Sequence, residues 1–465
     1  MDAGFLAPLM FADLVAFLLL GYPVAFALAA NGLLFAGIGI TLGLFDVSLL
    51  SALPERVYGI AANPTLLAIP FFAFMGLILE RSGMAEDLLD TIGQLFGAMK
   101  GGLAYAVILV GGLLAATTGV VAATVIAMGL ISLPVMLRHG YDKRLASGVI
   151  AASGTLAQIV PPSLVLIVLA DQLGASVGDM YKGALLPGAG LIGLYLAFVF
   201  LVTLVRPQLA PAMPASARTL SGTALLARVL ITLVPPLVLI FLVLGTIFLG
   251  VATPTEGGAM GAAGALLLAW ARGRLSRLQL TQAMDSTTRL TTFVIFILIG
   301  STVFTLVFRG LDGDVWVGHL FDHLPGGVIG FLIVVNLLVF TLAFFLDFFE
   351  IAFIVVPLLA PVAYKLGIDP IWFGVMLAVN MQTAFMHPPF GFALFYLKSV
   401  APKSIRTMDI YWGALPFLVI QLVMVAVVLA FPDVVLRDAP PEASSVTDIP
   451  IEVDPDANFL PPEWR

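Results

Sequence analysis

Cysteine is absent from the 465 residues of this chain, which removes disulfide staples, thiolate metal sites and thiol nucleophiles from consideration. Charge is nearly as scarce. Asp, Glu, Lys and Arg make up 11% of the sequence, against about a quarter in an ordinary soluble domain. So few charges cannot cover a water-facing surface, and the missing area must face lipid. No basic face interleaved with aromatics occurs, so a nucleic-acid partner is unsupported. No phosphate-cradling glycine loop closing on Lys and a hydroxyl residue occurs, so direct use of ATP is unsupported too. The opening residues MDAGFLAPLM place no basic group ahead of the apolar run, which argues against a cleaved signal peptide.

What the chain has instead is apolar length. It is 61% hydrophobic, with a mean hydropathy of +1.10. A spanning helix needs about 20 apolar residues, and uncharged or nearly uncharged stretches of that order recur at 14–42, 103–137, 186–205, 229–255, 290–308 and 326–346. The expected fold is an all-α polytopic membrane protein with roughly ten to twelve spanning or half-spanning segments. The net charge of −7 is partly local. The tail 433–465 is acidic and rich in proline and serine, and reads as a solvated, poorly ordered extension. Two loops with an excess of arginine, 206–228 and 272–289 (the second holding Asp285 among four arginines), are separated by two apolar stretches. Both therefore fall on one side, cytoplasmic by the positive-inside rule.

The apolar segments are repeatedly interrupted: Ala116–Thr117–Thr118–Gly119, Ser153–Gly154–Thr155, Pro161–Pro162–Ser163, Thr253–Pro254–Thr255–Glu256, and Asn380–Met381–Gln382–Thr383 ahead of Pro388–Pro389. Backbone freed at membrane depth is tolerated only where it lines a cavity or is buried in protein. The interruptions are also duplicated. A shift of 227 residues lays Pro134 on Pro361, Gly140 on Gly367, Asp142 on Asp369, and Pro161–Pro162 on Pro388–Pro389 without a gap. Matching interrupted segments in two halves point to a transporter's binding site.

With those residues in view, the chain resembles the large membrane subunit of the tripartite ATP-independent periplasmic (TRAP) transporters. The likeness covers about 10–435 and rests on four ordered stretches. They are Leu67–Phe71 with Gly76 and Ser82–Gly83; Gly119–Gly129 with Ser153–Gly154 and Ile159–Ser163; Gly183, Leu186–Gly188 and Thr253–Glu256; and Asp347, Pro357, Pro361, Gly367, Asn380 and Pro388–Gly391. The chain departs from the family at Ala116–Thr118, where serines are common, and at His387, where a threonine is common. The resemblance implies two inverted repeats, each with a re-entrant helical hairpin, in an elevator-type transport domain held on a scaffold. It implies sodium-coupled uptake of a carboxylate or related anion across the bacterial inner membrane, with Na+ as coupling ion. It also implies two partners, a small membrane subunit and a periplasmic substrate-binding protein. The expected division is 1–65 N-terminal scaffold, 66–190 first transport repeat, 191–289 scaffold and basic loops, 290–410 second transport repeat, 411–432 a C-terminal membrane helix and 433–465 the acidic tail.

A sodium ion is satisfied by oxygen, and helix breaks supply free carbonyls. The sodium candidates are Thr117, Thr118, Ser153 and Gly154 in the first repeat and Asp347, Asn380, Gln382 and Thr383 in the second. The plainer alternative is that these hydroxyls and amides bond neighbouring helices, their ordinary role in bundles. Asp347 follows about twenty almost uncharged residues and needs a cation, a proton or a hydrogen-bonding partner at that depth. An anion needs counter-charge, and Arg309, ending the run 290–308, is the substrate-anchor candidate. Thr124 and Ser163 are candidates for completing a polar pocket. Glu256 is equally readable as a helix cap, and the phenylalanines of 71–74 and 344–349 as lipid-facing or packing surface.

Enzyme readings fare poorly. His319 and His323 have helical i, i+4 spacing, but Leu320 stands where a zinc protease needs glutamate. The paired aspartates of an intramembrane protease are likewise not found. A channel or exchanger of related fold, working without a binding protein, is the harder rival. Two repeats in one chain suit an alternating-access carrier better than a symmetric pore.

Overall fold

A computed structural model describes residues 5–437, apart from His323 and the side chains of Thr118 and Asp322. Most of the acidic tail, the His319–His323 pairing and the Thr118 hydroxyl thus lie outside the described residues. Among the described residues the secondary structure is entirely helical. Seven helices are long and apolar enough to cross a bilayer, eight if one bent pair counts as a span, and three shorter apolar helices accompany them.

The first helices are α1 (Leu6–Leu19), α2 (Val24–Thr41) and α3 (Leu53–Ala61). The bent pair follows, α4 (Ala68–Arg81) and α5 (Met84–Phe96), meeting at 61°. Gly83 makes the bend with φ +71°, which costs glycine nothing sterically. After these come α6 (Gly102–Thr118), α7 (Val121–Arg138), α8 (Lys143–Thr155), α9 (Leu164–Gln172) and α10 (Val177–Val205). The middle of the chain holds α11 (Gly222–Phe248), α12 (Pro254–Ala271) and α13 (Arg277–Gly310). The expected basic loop 272–289 is therefore mostly helix, because Ser276 and Gln279 form a reciprocal cap that starts α13 early. The remainder is α14 (Gly313–Asp322), α15 (Gly327–Leu342), α16 (Phe348–Glu350), α17 (Val356–Lys365), α18 (Pro370–Thr383), α19 (Phe392–Val400), α20 (Thr407–Ala430) and α21 (Asp433–Leu436). A π-helical turn, Ile351–Val355, joins α16 to α17.

Hydrogen bonds sort the helix ends onto two faces. On the basic face, Asp87 gathers Arg274 at 2.8 Å, Arg228 at 3.4 Å and Arg272 at 4.0 Å. Backbone bonds tie Gly101 to Ala210, Asp142 to Leu209 and Met213 to Gly97 there, and Lys143 donates to the Ser404 carbonyl. Hence α6 and α20 begin, and α7 and α10 end, on this face. On the opposite face, Asn63 donates to Asp171 at 2.6 Å, the Tyr364 hydroxyl donates to the Leu173 carbonyl, and Trp372 donates to the Val428 carbonyl. There α9, α17 and α20 end and α18 begins.

Two kinds of interruption follow from this placement. The α8–α9 pair starts on the basic face and finishes on the other, so it is one crossing broken at 156–163. The α18–α19 pair crosses in the reverse sense, broken at 384–391. By contrast α6 and α7 turn back on themselves. Gly119 reverses the chain with φ +58°, and at the outer ends the Leu103 N–H donates to the Tyr141 hydroxyl at 3.1 Å. Burial pushes that phenol up to about 12, so it stays neutral at physiological pH. The α15–α17 segment makes the corresponding turn-back from the other face.

The 227-residue shift holds across these elements. It carries α7 (121–138) onto the whole of α16–α17 (348–365), and α8 onto α18 to within one residue. Asp142 caps α8 by accepting from the Arg144 and Leu145 N–H groups, and Asp369 caps α18 by accepting from Ile371 and Trp372. Both Pro161–Pro162 and Pro388–Pro389 are cis. Helices α8, α9 and α18 are buried on every side over most of their length, so their polar groups face protein and each other. Helix α20 crosses α8 at Gly148 and Gly413, so closely that a Cβ on either would fall about 2 Å from a carbonyl oxygen of the other helix.

Glu256 proves to be a cap. It accepts from the Thr253 N–H at 2.8 Å while Thr253 Oγ1 accepts from the Glu256 N–H at 3.3 Å, at the exposed start of α12. Thr253→Ala should therefore lower stability by about 1 kcal/mol and leave transport nearly intact. A thermal-shift series with uptake alongside would check this, and a large loss of uptake at unchanged stability would contradict it.

Candidate functional site

A cavity of about 260 Å³ forms where the two turn-backs and the two broken crossings meet. Its wall takes Gly119–Ala122 from the first turn-back, Gln158 and Leu164 from the first break, Asp347–Phe349 from the second turn-back, Phe385 and Phe392 from the second break, and Leu290 and Phe293 from α13. Turn-backs from opposite faces share one cavity, so each enters the membrane only part-way.

Four helices, α7, α9, α16 and α19, place their first residues, Val121, Leu164, Phe348 and Phe392, in this wall. Each helix start carries roughly half a positive charge on unsatisfied N–H groups. The helices that precede them, α6, α8 and α18, end nearby and leave carbonyl oxygens free. One small volume thus has donors suited to an anion and acceptors suited to a cation.

Asp347 sits at the start of α16, accepting from the Glu350 N–H at 2.9 Å while Glu350 accepts from the Asp347 N–H at 2.9 Å. Its charge opposes an incoming anion unless a cation or proton accompanies that anion. Thr117 and Ser153 are buried and donate into their own helices, to Leu114 at 2.9 Å and Ile150 at 3.0 Å, which leaves hydroxyl lone pairs to accept. A Cβ at Gly154 would meet Val125 at 2.3 Å, so this glycine lets α8 lie against α7. Thr118 ends α6. In the second half, Thr383 donates to the Asn380 carbonyl at 2.6 Å, and Asn380 donates to both Asn336 oxygens at 2.8 and 2.9 Å. Gln382 donates to Thr155 at 3.1 Å. The amide oxygens of Asn380, Gln382 and Gln158 are buried with no donor. Uncharged, orphaned oxygens at helix breaks are a donor set that fits a hard monovalent cation.

Of the pocket candidates, Thr124 is buried one turn into α7 and donates to the Val120 carbonyl at 3.1 Å. Ser163 is buried at the start of α9 and donates to the Gln158 carbonyl at 2.6 Å. Arg309 is not brought here. It is exposed at the far end of α13, sixteen residues from Phe293, or about 24 Å at 1.5 Å per residue. The segment 344–349 corrects its reading as plain packing surface, since Phe348 and Phe349 line the cavity. Gln158 and Tyr396 also line it and were not singled out from sequence. Gln158 falls opposite Phe385 under the shift, so the duplicated pattern gives it no signal. His387 has both ring nitrogens buried without a partner, stacked on Phe344 with ring centroids 4.4 Å apart.

Comparison with known proteins agrees with this geometry. Residues 11–434 match the family described as the tripartite ATP-independent periplasmic transporter, DctM component. The chain is 32% identical over 399 residues to the C4-dicarboxylate TRAP transporter large permease protein DctM of Pseudomonas aeruginosa, covering 85% of this chain and 91% of that one. It is 27% identical to the sialic acid TRAP transporter large permease protein SiaM of Vibrio cholerae, covering 87% and 95%. Among solved structures, the Alcanivorax borkumensis YdaH transporter superposes with a TM-score of 0.59 at 15% identity, covering 84% of this chain and 90% of that one. That likeness concerns the fold alone. From residue 11 to residue 434, then, the chain belongs to the large-permease family of the TRAP transporters.

Proposed function

We propose that this subunit carries sodium-coupled uptake of a small organic anion of the carboxylate class, received from a periplasmic binding protein and moved with the help of a small membrane subunit. The chain itself is a multi-pass protein of the bacterial inner membrane and a transporter subunit rather than an enzyme. The observation that carries the proposal is the meeting of four helix starts in one cavity whose wall also holds Asp347 and Gln158, the latter with a buried amide oxygen that has no donor. The helix starts offer N–H groups and partial positive charge to a carboxylate, while the helix ends and Asp347 offer oxygens to the cation that accompanies it. The family names of the relatives, dicarboxylate and sialic acid permeases, favour carboxylates. The two segment sets act as inverted repeats, with α13 (Arg277–Gly310), which the expected boundary at 290 would cut, kept whole as the scaffold wall against which the cavity-bearing body slides. Net positive charge moving inward with the substrate would gain about 2.3 kcal/mol per charge per 100 mV.

The test is uptake in proteoliposomes holding the complete transporter and its binding protein, with and without an inward sodium gradient, across a panel of carboxylates. Saturable uptake that collapses without sodium, together with exchange of preloaded substrate, is expected. Gradient-independent, non-saturating flux would replace the carrier by a channel.

A further inference from the structure

Thr155 and Gln382 stand 227 residues apart, so they are the same position in the two copies, and they are hydrogen-bonded to each other at 3.1 Å. The axis that relates the copies therefore passes between them. Two residues upstream of Thr155 is Ser153, and one residue beyond Gln382 is Thr383. The cation candidates of the two halves are thus joined through a single bond between side chains.

This bond does not stand alone. Gln421, from α20, donates to Thr155 at 3.1 Å and to the Tyr195 hydroxyl, from α10, at 2.9 Å. All four side chains are buried, none more than 1% exposed. One helix from each of four positions, α8, α18, α10 and α20, contributes a single polar group to an otherwise apolar interior. Thr155 has used its own proton on the Ala152 carbonyl at 2.8 Å, so its oxygen can only accept, and it accepts from both glutamines. The amide oxygens of Gln382 and Gln421 are left without donors. Rotating either amide to satisfy its oxygen would put the oxygen against the Thr155 acceptor, so the present arrangement is held by Thr155.

We infer that the Thr155–Gln382–Gln421–Tyr195 cluster couples cation occupancy in one half to cation occupancy in the other, with Thr155, Gln421 and Tyr195 acting as positioning residues. A cation that draws in the 153–155 backbone turns the Thr155 hydroxyl, and Gln382 follows it, carrying the 380–383 backbone into place for the second cation. Coupling between two cation sites raises the apparent order of binding toward the number of sites. The inference rests on the sodium-coupled reading above.

The test uses the complete transporter in proteoliposomes, following substrate uptake and equilibrium binding of radioactive sodium as sodium is raised. Wild type is expected to give a Hill coefficient of about 2, and Thr155→Val and Gln421→Leu about 1. The half-saturating sodium concentration should rise about tenfold in both variants, with the maximal rate at saturating sodium largely kept. Tyr195→Phe, which removes a single hydroxyl and leaves the ring in place, covers the case in which a core variant fails to fold. The Thr155→Val/Gln421→Leu double variant should match either single one. A Hill coefficient unchanged in these variants, or a fall in maximal rate alone, would overturn the coupling role and leave the cluster as packing. Wild-type uptake with no sodium stimulation would instead remove the parent reading, and this one with it.

Discussion

Asp347→Ala is expected to abolish sodium-stimulated uptake while the transporter still assembles. The substitution removes two things together. The carboxylate caps α16 by accepting the Glu350 N–H at 2.9 Å, and loss of such a cap costs about 1 kcal/mol. It also removes the one acidic charge in the cavity wall. A unit charge about 4 Å from a bound cation is worth about 4 kcal/mol at an effective dielectric of about 20, close to a thousandfold in ion affinity. Asp347→Asn separates the contributions, because asparagine caps as well as aspartate but carries no charge. The Asn variant should keep the thermal midpoint of the wild type and shift sodium half-saturation upward by two to three orders of magnitude (about 3–4 kcal/mol). Wild-type sodium dependence in Asp347→Asn would assign the residue to capping alone.

Gly413→Ala should do comparable damage by a different route. Its Cβ would lie 2.1 Å from the Arg144 carbonyl oxygen and 3.0 Å from the Gly148 nitrogen, and a Cβ at Gly148 would lie 2.0 Å from the Gly413 carbonyl oxygen. These obstacles are backbone, with no flexible side chain to yield, so α8 and α20 must separate. Ordinary overpacking costs about 1–3 kcal/mol, and this case should lie at or beyond the upper end. Two turns along, the same helices bring Thr155 against Gln421, so separation also pulls that bond apart. Gly148→Ala and Gly413→Ala should each lower the thermal midpoint in detergent and remove most uptake, and the pair should fall short of additivity because one separation relieves both clashes. A wild-type midpoint in either single variant would show that the crossing has room to spare.

The membrane character, the sites of interruption and the duplicated spacing are readable in the sequence because each has a local cause. Charge scarcity forces lipid contact, and a Gly-x-Asp turn followed by a double proline marks a break whatever surrounds it. The sequence does not separate the two kinds of break. Gly119 turns its helix back, whereas the 156–163 break lets the chain continue across. Both are simply polar gaps in apolar runs. Depth was the second loss. Arg309 stands out in the sequence because it ends the apolar run 290–308, but α13 is long enough to carry it far from Phe293. Gln158, Gln421 and Tyr195 escaped notice for the opposite reason. A single polar residue on an apolar helix has the same pattern whether it faces lipid, a neighbour or an axis, and only the fold decides.

The unbroken 227-residue register has a practical side for anyone making variants. Asp142 and Asp369 cap equivalent helices on opposite faces of the protein, so the same substitution at each is a matched pair with an internal control. Harm common to both members reports the loss of a cap. Any difference between them reports how unlike the inner and outer surroundings are, and that asymmetry is what gives a two-sided machine its direction.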